Sequence, residues 1–330
     1  MTDPDERLLC LRAWLRTHDE VAACELTAAS GDASFRRYYR ARVGDKSFIV
    51  MDAPPDKEDC RPFIKVAALL RVAGLHAPRI LAQDLEKGFL LLTDLGMQTY
   101  LDVLTPDNAD GLFQDAIAAL IRWQVASKIG VLPAYDHTLL ARELNLFTQW
   151  YLPKHLGVVL NAESQFLWEQ VCALLIESAL SQACVYVHRD YMPRNLMVSD
   201  PNPGVLDFQD AVFGPVTYDA VCLFKDAFIS WPEARVDQWS RQYWERARAA
   251  VLPVHDSFAD FRRAFDWMGL QRHLKVLGIF SRLTHRDGKP GYARDTPRFV
   301  RYVTTIAARY DELAPLARLF EQHVLPRVSL

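Results

Sequence analysis

The stretch Val185-Tyr186-Val187-His188-Arg189-Asp190-Tyr191-Met192-Pro193-Arg194-Asn195 puts an aspartate directly after a short apolar run and an asparagine five residues further on. A second aspartate, Asp207, closes the next apolar run, which follows the turn Pro201-Asn202-Pro203-Gly204. Phosphoryl transfer needs this kind of set. It asks for a group that orients the attacking hydroxyl and takes its proton, and for ligands to the metal ion that bridges the phosphates. Asp190 suits the first task. Asn195 and Asp207 suit the second, because Mg²⁺ prefers hard oxygen donors. Taken singly, Asp190 and Asn195 read as well as turn caps; the complete spacing points to chemistry. His188 reads as a brace for the loop rather than a proton carrier.

Two classes of element must position these residues. Residues 5–19 read as an amphipathic helix with Leu8, Leu11 and Leu15 on one side. Phe35 to Arg42 and Ser47 to Met51 read as strands joined at a Gly44-Asp45 hairpin and stopped by Pro54-Pro55. Residues 58–73 follow as a helix that stops at Gly74. Ile80 to Ala82 and Gly88 to Thr93 are two further strands. After Asp94-Leu95-Gly96 the chain turns mainly helical, over 142–155, 163–180, 218–229, 234–250, 257–283 and 297–322, with an apolar stripe from Leu112 to Ile121. Short strands at 184–187, 196–198 and 204–206 interrupt the helices and carry the candidate residues. The expected fold is α+β and two-lobed. A small antiparallel-sheet N-lobe would cover 1–95, a hinge 93–97, and a larger, mainly helical C-lobe 96–330.

His188-Arg189-Asp190 with Asn195, followed by Asp207-Phe208-Gln209, matches the protein-kinase signature H-R-D-x-x-x-x-N plus D-F-x. The whole chain resembles the aminoglycoside-phosphotransferase family of kinase-like enzymes. Ser30-Gly31-Asp32-Ala33-Ser34-Phe35 with Arg37 looks like that family's phosphate-covering hairpin. Thr93-Asp94-Leu95 looks like its inter-lobe hinge, where adenine meets the backbone. The resemblance implies ATP and Mg²⁺ as cofactors, Asp190 as catalytic base, and Asn195 and Asp207 as metal ligands. Gly31 to Arg40, Met51-Asp52-Ala53-Pro54-Pro55 and Asp207 to Ala211 are similar to the bacterial anomeric kinases of N-acetylmuramate and N-acetylglucosamine. That likeness implies an amino-sugar substrate, a sugar 1-phosphate product and a place in peptidoglycan recycling. The chain departs from the family pattern in three places. Arg189 stands where relatives have Gly, Gln209 replaces the Gly after Asp-Phe, and the strand Ser47 to Asp52 has no phosphate-anchoring lysine. Arg36, Arg37, Arg40, Lys46 or Lys65 would have to supply that charge, and Glu58 fits poorly as its partner.

Residues 271–301 are basic, with Arg272, Lys275, Arg282, Arg286, Lys289, Arg294, Arg298 and Arg301 against Asp287 and Asp295. They read either as a solvated helix face or as the platform for an anionic acceptor such as a sugar carboxylate. Polycationic acceptors would need the opposite charge. Arg286, Tyr292, Arg294, Glu143 and Tyr151 are the acceptor-site candidates, with core packing the competing role for Tyr151. Asp219 reads as a helix cap. Aminoglycoside, choline or protein acceptors, and a non-catalytic binding module, stay open.

Composition fits a cytoplasmic enzyme. The 330 residues are half hydrophobic, with a formal net charge of -3, which excludes an electrostatic nucleic-acid binder. No apolar run reaches the ~18–20 residues of a membrane helix. The six cysteines form no CxxC pair and read as reduced and mostly buried. No obligate protein partner is expected.

Overall fold

The computed structural model describes residues 4–31 and 35–329. Asp32, Ala33 and Ser34, assigned to the phosphate cradle, therefore lie outside the described residues. The chain divides into two compact units, Met1–Val103 with Asn195–Asp210, and Leu104–Arg194 with Ala211–Leu330.

The first unit is built on an antiparallel sheet of order β1-β2-β3-β5-β4. Its strands are β1 (Glu25–Gly31), β2 (Arg37–Val43), β3 (Lys46–Asp52), β4 (Ile80–Asp84) and β5 (Phe89–Thr93). The β2–β3 register runs from Arg37↔Asp52 to Val43↔Lys46. It closes at Gly44, whose φ of +56° meets the positive φ that such a turn requires. Strand β1 was not expected from the sequence. Ala28, Ser30 and Gly31 are poor strand formers, and pairing with β2 makes the strand. Helix α1 (Pro4–Leu15) packs Leu11, Trp14 and Leu15 against Ala41, Val50, Phe89 and Leu91. Helix α2 (Cys60–Val72) begins at Asp59, whose side chain accepts from Arg61 N, and buries Phe63, Val66, Ala67 and Leu70. Gly88 has φ +73°, and a Cβ there would stand 1.8 Å from the carbonyl oxygen of Ala53. Only glycine lets β5 start so close to the end of β3.

Helix α3 (Tyr100–Val103) and the short hairpin β7 (Leu196–Met197) with β8 (Gly204–Val205) complete this unit. Val205 N donates to His76 O at 2.7 Å, and Val198 N to Gln98 O at 2.9 Å. Backbone hydrogen bonds thus tie the hairpin that carries Asn195 and Asp207 into the sheet-bearing unit.

The second unit holds helices α4 (Ala109–Val125), α5 (His137–Leu146), α6 (Ala162–Leu180), α7 (Tyr218–Phe224), α8 (Glu233–Ala249), α9 (Phe258–His285), α10 (Thr296–Ala307) and α11 (Ala314–Leu319). They surround a two-stranded sheet of β6 (Cys184–Val187) and β9 (Val212–Pro215). Helix α9 is buried on every side from Ala264 to Gly278, so it forms the centre of the unit. The helix expected over 142–155 ends at Leu146 and continues as a π-helical turn, Phe147–His155. At that junction a Cβ on Gly278 would lie 2.4 Å from the Leu146 carbonyl carbon. The helix expected over 218–229 stops at Phe224, because the Asp226 carboxylate accepts from Phe228 N and Ile229 N and stabilises a turn. The span 297–322 breaks before Pro315, which sits in the first turn of α11.

All six cysteines are free, but only Cys60 and Cys222 are buried, fewer than the sequence suggested. Among the described residues no helix is long and apolar enough to cross a membrane.

Candidate active site

In the first unit, Asn195 ends a tight turn, Pro193–Asn195, and enters β7. Its carbonyl accepts from Leu206 N at 2.9 Å, which closes the hairpin around it. Asp207 follows β8 with φ +60°, a left-handed conformation that aspartate tolerates better than most residues. Asn195 Nδ2 stands 3.4 Å from Asp207 Oδ2. Gln209 Nε2 donates to Asp207 Oδ1 at 2.9 Å. The glutamine in the usual glycine position therefore holds the carboxylate. Phe208 is fully buried, its ring 4.7 Å from that of Phe63 on α2. A carboxylate and a side-chain amide side by side are the hard donors a Mg²⁺ ion needs, and a half-turn of the amide offers its oxygen. The pair fits the ion.

The expected hinge lies at the end of β5. Thr93 Oγ1 accepts from Arg79 N at 2.9 Å, and Leu95 is buried. The Asp94 carboxylate takes the Arg40 Nε at 2.7 Å, the Gly96 N at 3.0 Å and the Ser47 hydroxyl. Burial pushes Asp94 up, but the hydrogen bonds from Arg40 and Ser47 outweigh it and hold the carboxyl below its usual range. Arg40 is thus bound to Asp94 and the Gly96 carbonyl. Arg37 closes on Asp52, whose other oxygen takes Arg7 Nε at 3.0 Å. Phe35 is exposed, with the Lys57 ammonium 6.0 Å over its ring. Ser30 and Gly31 end β1.

In the second unit the loop after β6 carries Asp190, which is half-buried. The Asp219 carboxylate accepts from His188 N at 2.7 Å and from Arg189 N at 3.0 Å. Burial pushes Asp219 up to about 7, against the lowering effect of those two donors. Asp219 was expected to cap α7; its side chain instead fixes the loop that carries Asp190. His188 is buried, and its Nδ1 accepts from Asp190 N at 3.3 Å, so it does brace the loop. Arg189 has φ +77°, and its guanidinium pairs with Glu143.

Glu143 is 3 % exposed. Its carboxylate also receives Lys275 Nζ at 2.8 Å, Gln271 Nε2 at 3.1 Å and the Tyr135 hydroxyl. Burial pushes it up, but Lys275 and Arg189 dominate and bring it down to about 2. The structure therefore places Glu143 in a buried charge cluster that anchors the loop carrying Asp190. Tyr151 is fully buried and stacked on Phe147 at 5.4 Å; it packs the core. Tyr292 is half-buried against Phe280, ring centroids 5.0 Å apart. Arg294 and Arg286 are exposed, the latter paired with Asp287 at 2.7 Å. The basic segment is no uniform solvated face: Arg272 is 2 % and Lys275 8 % exposed. Arg272 donates to Lys225 O at 3.3 Å and reaches Met192 Sδ at 3.9 Å. The sequence signalled these two only as members of the basic segment 271–301. For Asp219 and Tyr135 no local pattern marked the role.

The sequence profile described as the phosphotransferase enzyme family (APH) matches residues 25–260. The chain belongs to this family. It is an enzyme, a phosphotransferase. The N-acetylmuramate/N-acetylglucosamine kinase of Pseudomonas aeruginosa is 63% identical over 300 residues, covering 91% of this chain and 89% of that one. The kinase of the same name from Pseudomonas putida is 55% identical and covers 98% of each chain. Among solved structures, a choline/ethanolamine kinase family protein from Mesorhizobium loti superposes with a TM-score of 0.63 at 14% identity. The match covers 96% of this chain and 99% of that one. An ADP-bound aminoglycoside phosphotransferase gives a TM-score of 0.59 at 14% identity, covering 92% and 99%. The fold is that of the kinase-like phosphotransferases, as the sequence resemblance implied.

Proposed function

We propose that the chain transfers the γ-phosphoryl group of ATP to the anomeric hydroxyl of N-acetylmuramate, N-acetylglucosamine or both. The products are the sugar 1-phosphate and ADP, and the role is in peptidoglycan recycling. The observation that carries this reading is the immobilised loop around Asp190, fixed by Asp219 beneath its backbone and by Glu143 through Arg189. A proton acceptor for a weakly acidic hydroxyl gains most from a fixed position. The Asp190 carboxylate orients the hydroxyl and takes its proton as the new O–P bond forms. The bond from the β,γ-bridging oxygen to the γ-phosphorus breaks, and ADP leaves. Asn195 and Asp207 would hold Mg²⁺, which when bound would neutralise charge on the phosphates. The choice of acceptor rests on the names of relatives up to 63% identical. On the acceptor side, Arg294 and Tyr292 offer accessible groups for a carboxylate and a sugar face, while Glu143 acts from below through Arg189.

ADP release with each of the two amino sugars, an aminoglycoside and choline, in the presence of Mg²⁺, tests this. Turnover confined to the amino sugars, with phosphate on the anomeric oxygen by phosphorus NMR, is expected. Phosphate on another hydroxyl, or turnover only with choline or aminoglycoside, overturns it.

A further inference from the structure

Beyond Lys46 at its first position, the strand β3 has no lysine, yet a triphosphate entering beside Asp207 brings more negative charge to a site that already holds carboxylates. Some cation must offset it. Other arginines of the first unit are committed elsewhere by what they touch. Arg7 and Arg37 close on Asp52, Arg40 closes on Asp94 and Gly96 O, and Arg61 pairs with Asp59. Lys46 lies at the far end of the β2–β3 hairpin, where it pairs with Val43, and Lys87 pairs with Asp84.

Arg36 is differently placed. It directly precedes β2 and follows the stretch 32–34 that the sequence assigns to the phosphates. Its side chain is 11% exposed, with Nε 3.8 Å from Glu58 Oε2. Burial weighs against its charge, but the charges of Tyr38, Asp207, Glu58 and Asp210 raise its pKa above the usual arginine value. A largely buried guanidinium 3.8 Å from an orienting glutamate, next in the chain to the stretch assigned to the phosphates and drawn by the charge of Asp207, has the features a phosphate clamp requires. Its planar fork suits two phosphate oxygens at once.

We infer that Arg36, oriented by Glu58, is the phosphate-anchoring cation of this enzyme and takes the place of the lysine absent from Ser47 to Asp52 of β3. Glu58, which fitted poorly as a partner for a strand lysine, is well placed for an arginine that precedes β2. The inference rests on the reading of the site as a nucleotide-dependent phosphotransferase. Arg36 touches the donor, not the acceptor, so its removal acts on phosphates and leaves the base alone.

Calorimetric titration of the whole chain with Mg²⁺–ATP, ADP and adenosine, without acceptor, tests it. Arg36→Ala is expected to weaken ATP binding roughly 10–100-fold, the range for a lost charge-assisted hydrogen bond. It should weaken ADP less and leave adenosine unchanged. Arg36→Lys should recover part of the ATP affinity, and Glu58→Gln should lose about 3–10-fold on ATP alone, by loosening the guanidinium. Arg36→Ala that binds ATP as well as the wild type, or loses ATP and adenosine by one common factor, overturns the assignment. If Arg36→Ala does not fold, Arg36→Lys decides by the same comparison: an ATP-selective loss supports it, and a common loss overturns it. Wild-type protein that binds no nucleotide overturns the phosphotransfer reading together with this one. Normal wild-type binding with an indifferent Arg36→Ala overturns only the role of Arg36.

Discussion

Arg189 sits in the left-handed region at φ +77° while its guanidinium pairs with the buried carboxylate of Glu143. The backbone of a non-glycine residue there costs roughly 1–2 kcal/mol. The side chain that glycine would lack supplies an anchor that offsets the cost. The family resemblance leads one to expect glycine at 189, a residue free of strain but with nothing to hold the loop from below. This chain takes the strained backbone and the anchor together.

Glu143→Gln should therefore be among the most destabilising single changes in the second unit. It leaves Arg189 and Lys275 buried beside a neutral amide. Breaking one side of a buried pair costs on the order of 3–5 kcal/mol. Urea unfolding should show the midpoint move with little change in slope. A loss below about 1 kcal/mol would mean that water already screens the cluster.

Arg189→Gly separates the two halves of the relationship. It relieves the backbone and removes the ion pair, so its net cost should be smaller than that of Glu143→Gln. In a double-mutant cycle with Glu143→Gln the coupling should be about 1–3 kcal/mol. Additive effects would show that the contact contributes nothing to the loop. Turnover should fall in Arg189→Gly while acceptor KM stays near the wild-type value, since the residue acts by placing Asp190.

Two carboxyls bend the stability curve in opposite directions. Glu143 falls from 4.5 to about 2 on folding. Its contribution is complete above pH 4.5 and is lost as pH drops toward 2, with a slope of up to about 1.4 kcal/mol per unit. Asp219 rises from 3.8 to about 7. The native state therefore favours its proton, and stability is lost as pH climbs from 3.8 through 7. Unfolding free energies measured from pH 3 to pH 8 should show a flatter acid limb in Glu143→Gln and a flatter neutral limb in Asp219→Asn. Unchanged limbs in both variants would remove these groups from the titration.

Asp190→Asn should leave the fold and nucleotide affinity intact and cut turnover about 10²–10⁴-fold, the usual contribution of a positioned base. Circular dichroism and calorimetry check the first half, and steady-state rates the second. Near-normal turnover would take the base role away from Asp190.

The sheet, the paired strands around Gly44, the helix α2 and the hairpin carrying Asn195 and Asp207 could all be read from local pattern, because turns, caps and apolar periodicity act within a few residues. Strand β1 and strand β9 could not: β1 is poor in strand formers and exists through pairing with β2, and β9 is short and exists through pairing with β6, more distant in sequence. The helix boundaries at Leu146 and Phe224 were hidden for a similar reason, since close packing at Gly278 and the side chain of Asp226 set them.

Residue types and spacing alone picked out Asp190, Asn195 and Asp207, because phosphoryl transfer demands those groups and the chain holds them close together in order. The resemblance of the surrounding motifs placed the chain among the kinase-like phosphotransferases. Tertiary structure decided what supports those groups. Asp219 lies 29 residues from Asp190 in sequence but beneath its loop, Glu143 meets Lys275 across 132 residues, and Arg36 meets Glu58 across 22. Charge compensation in a buried site depends on distance in space, and that distance exists only once the chain has folded.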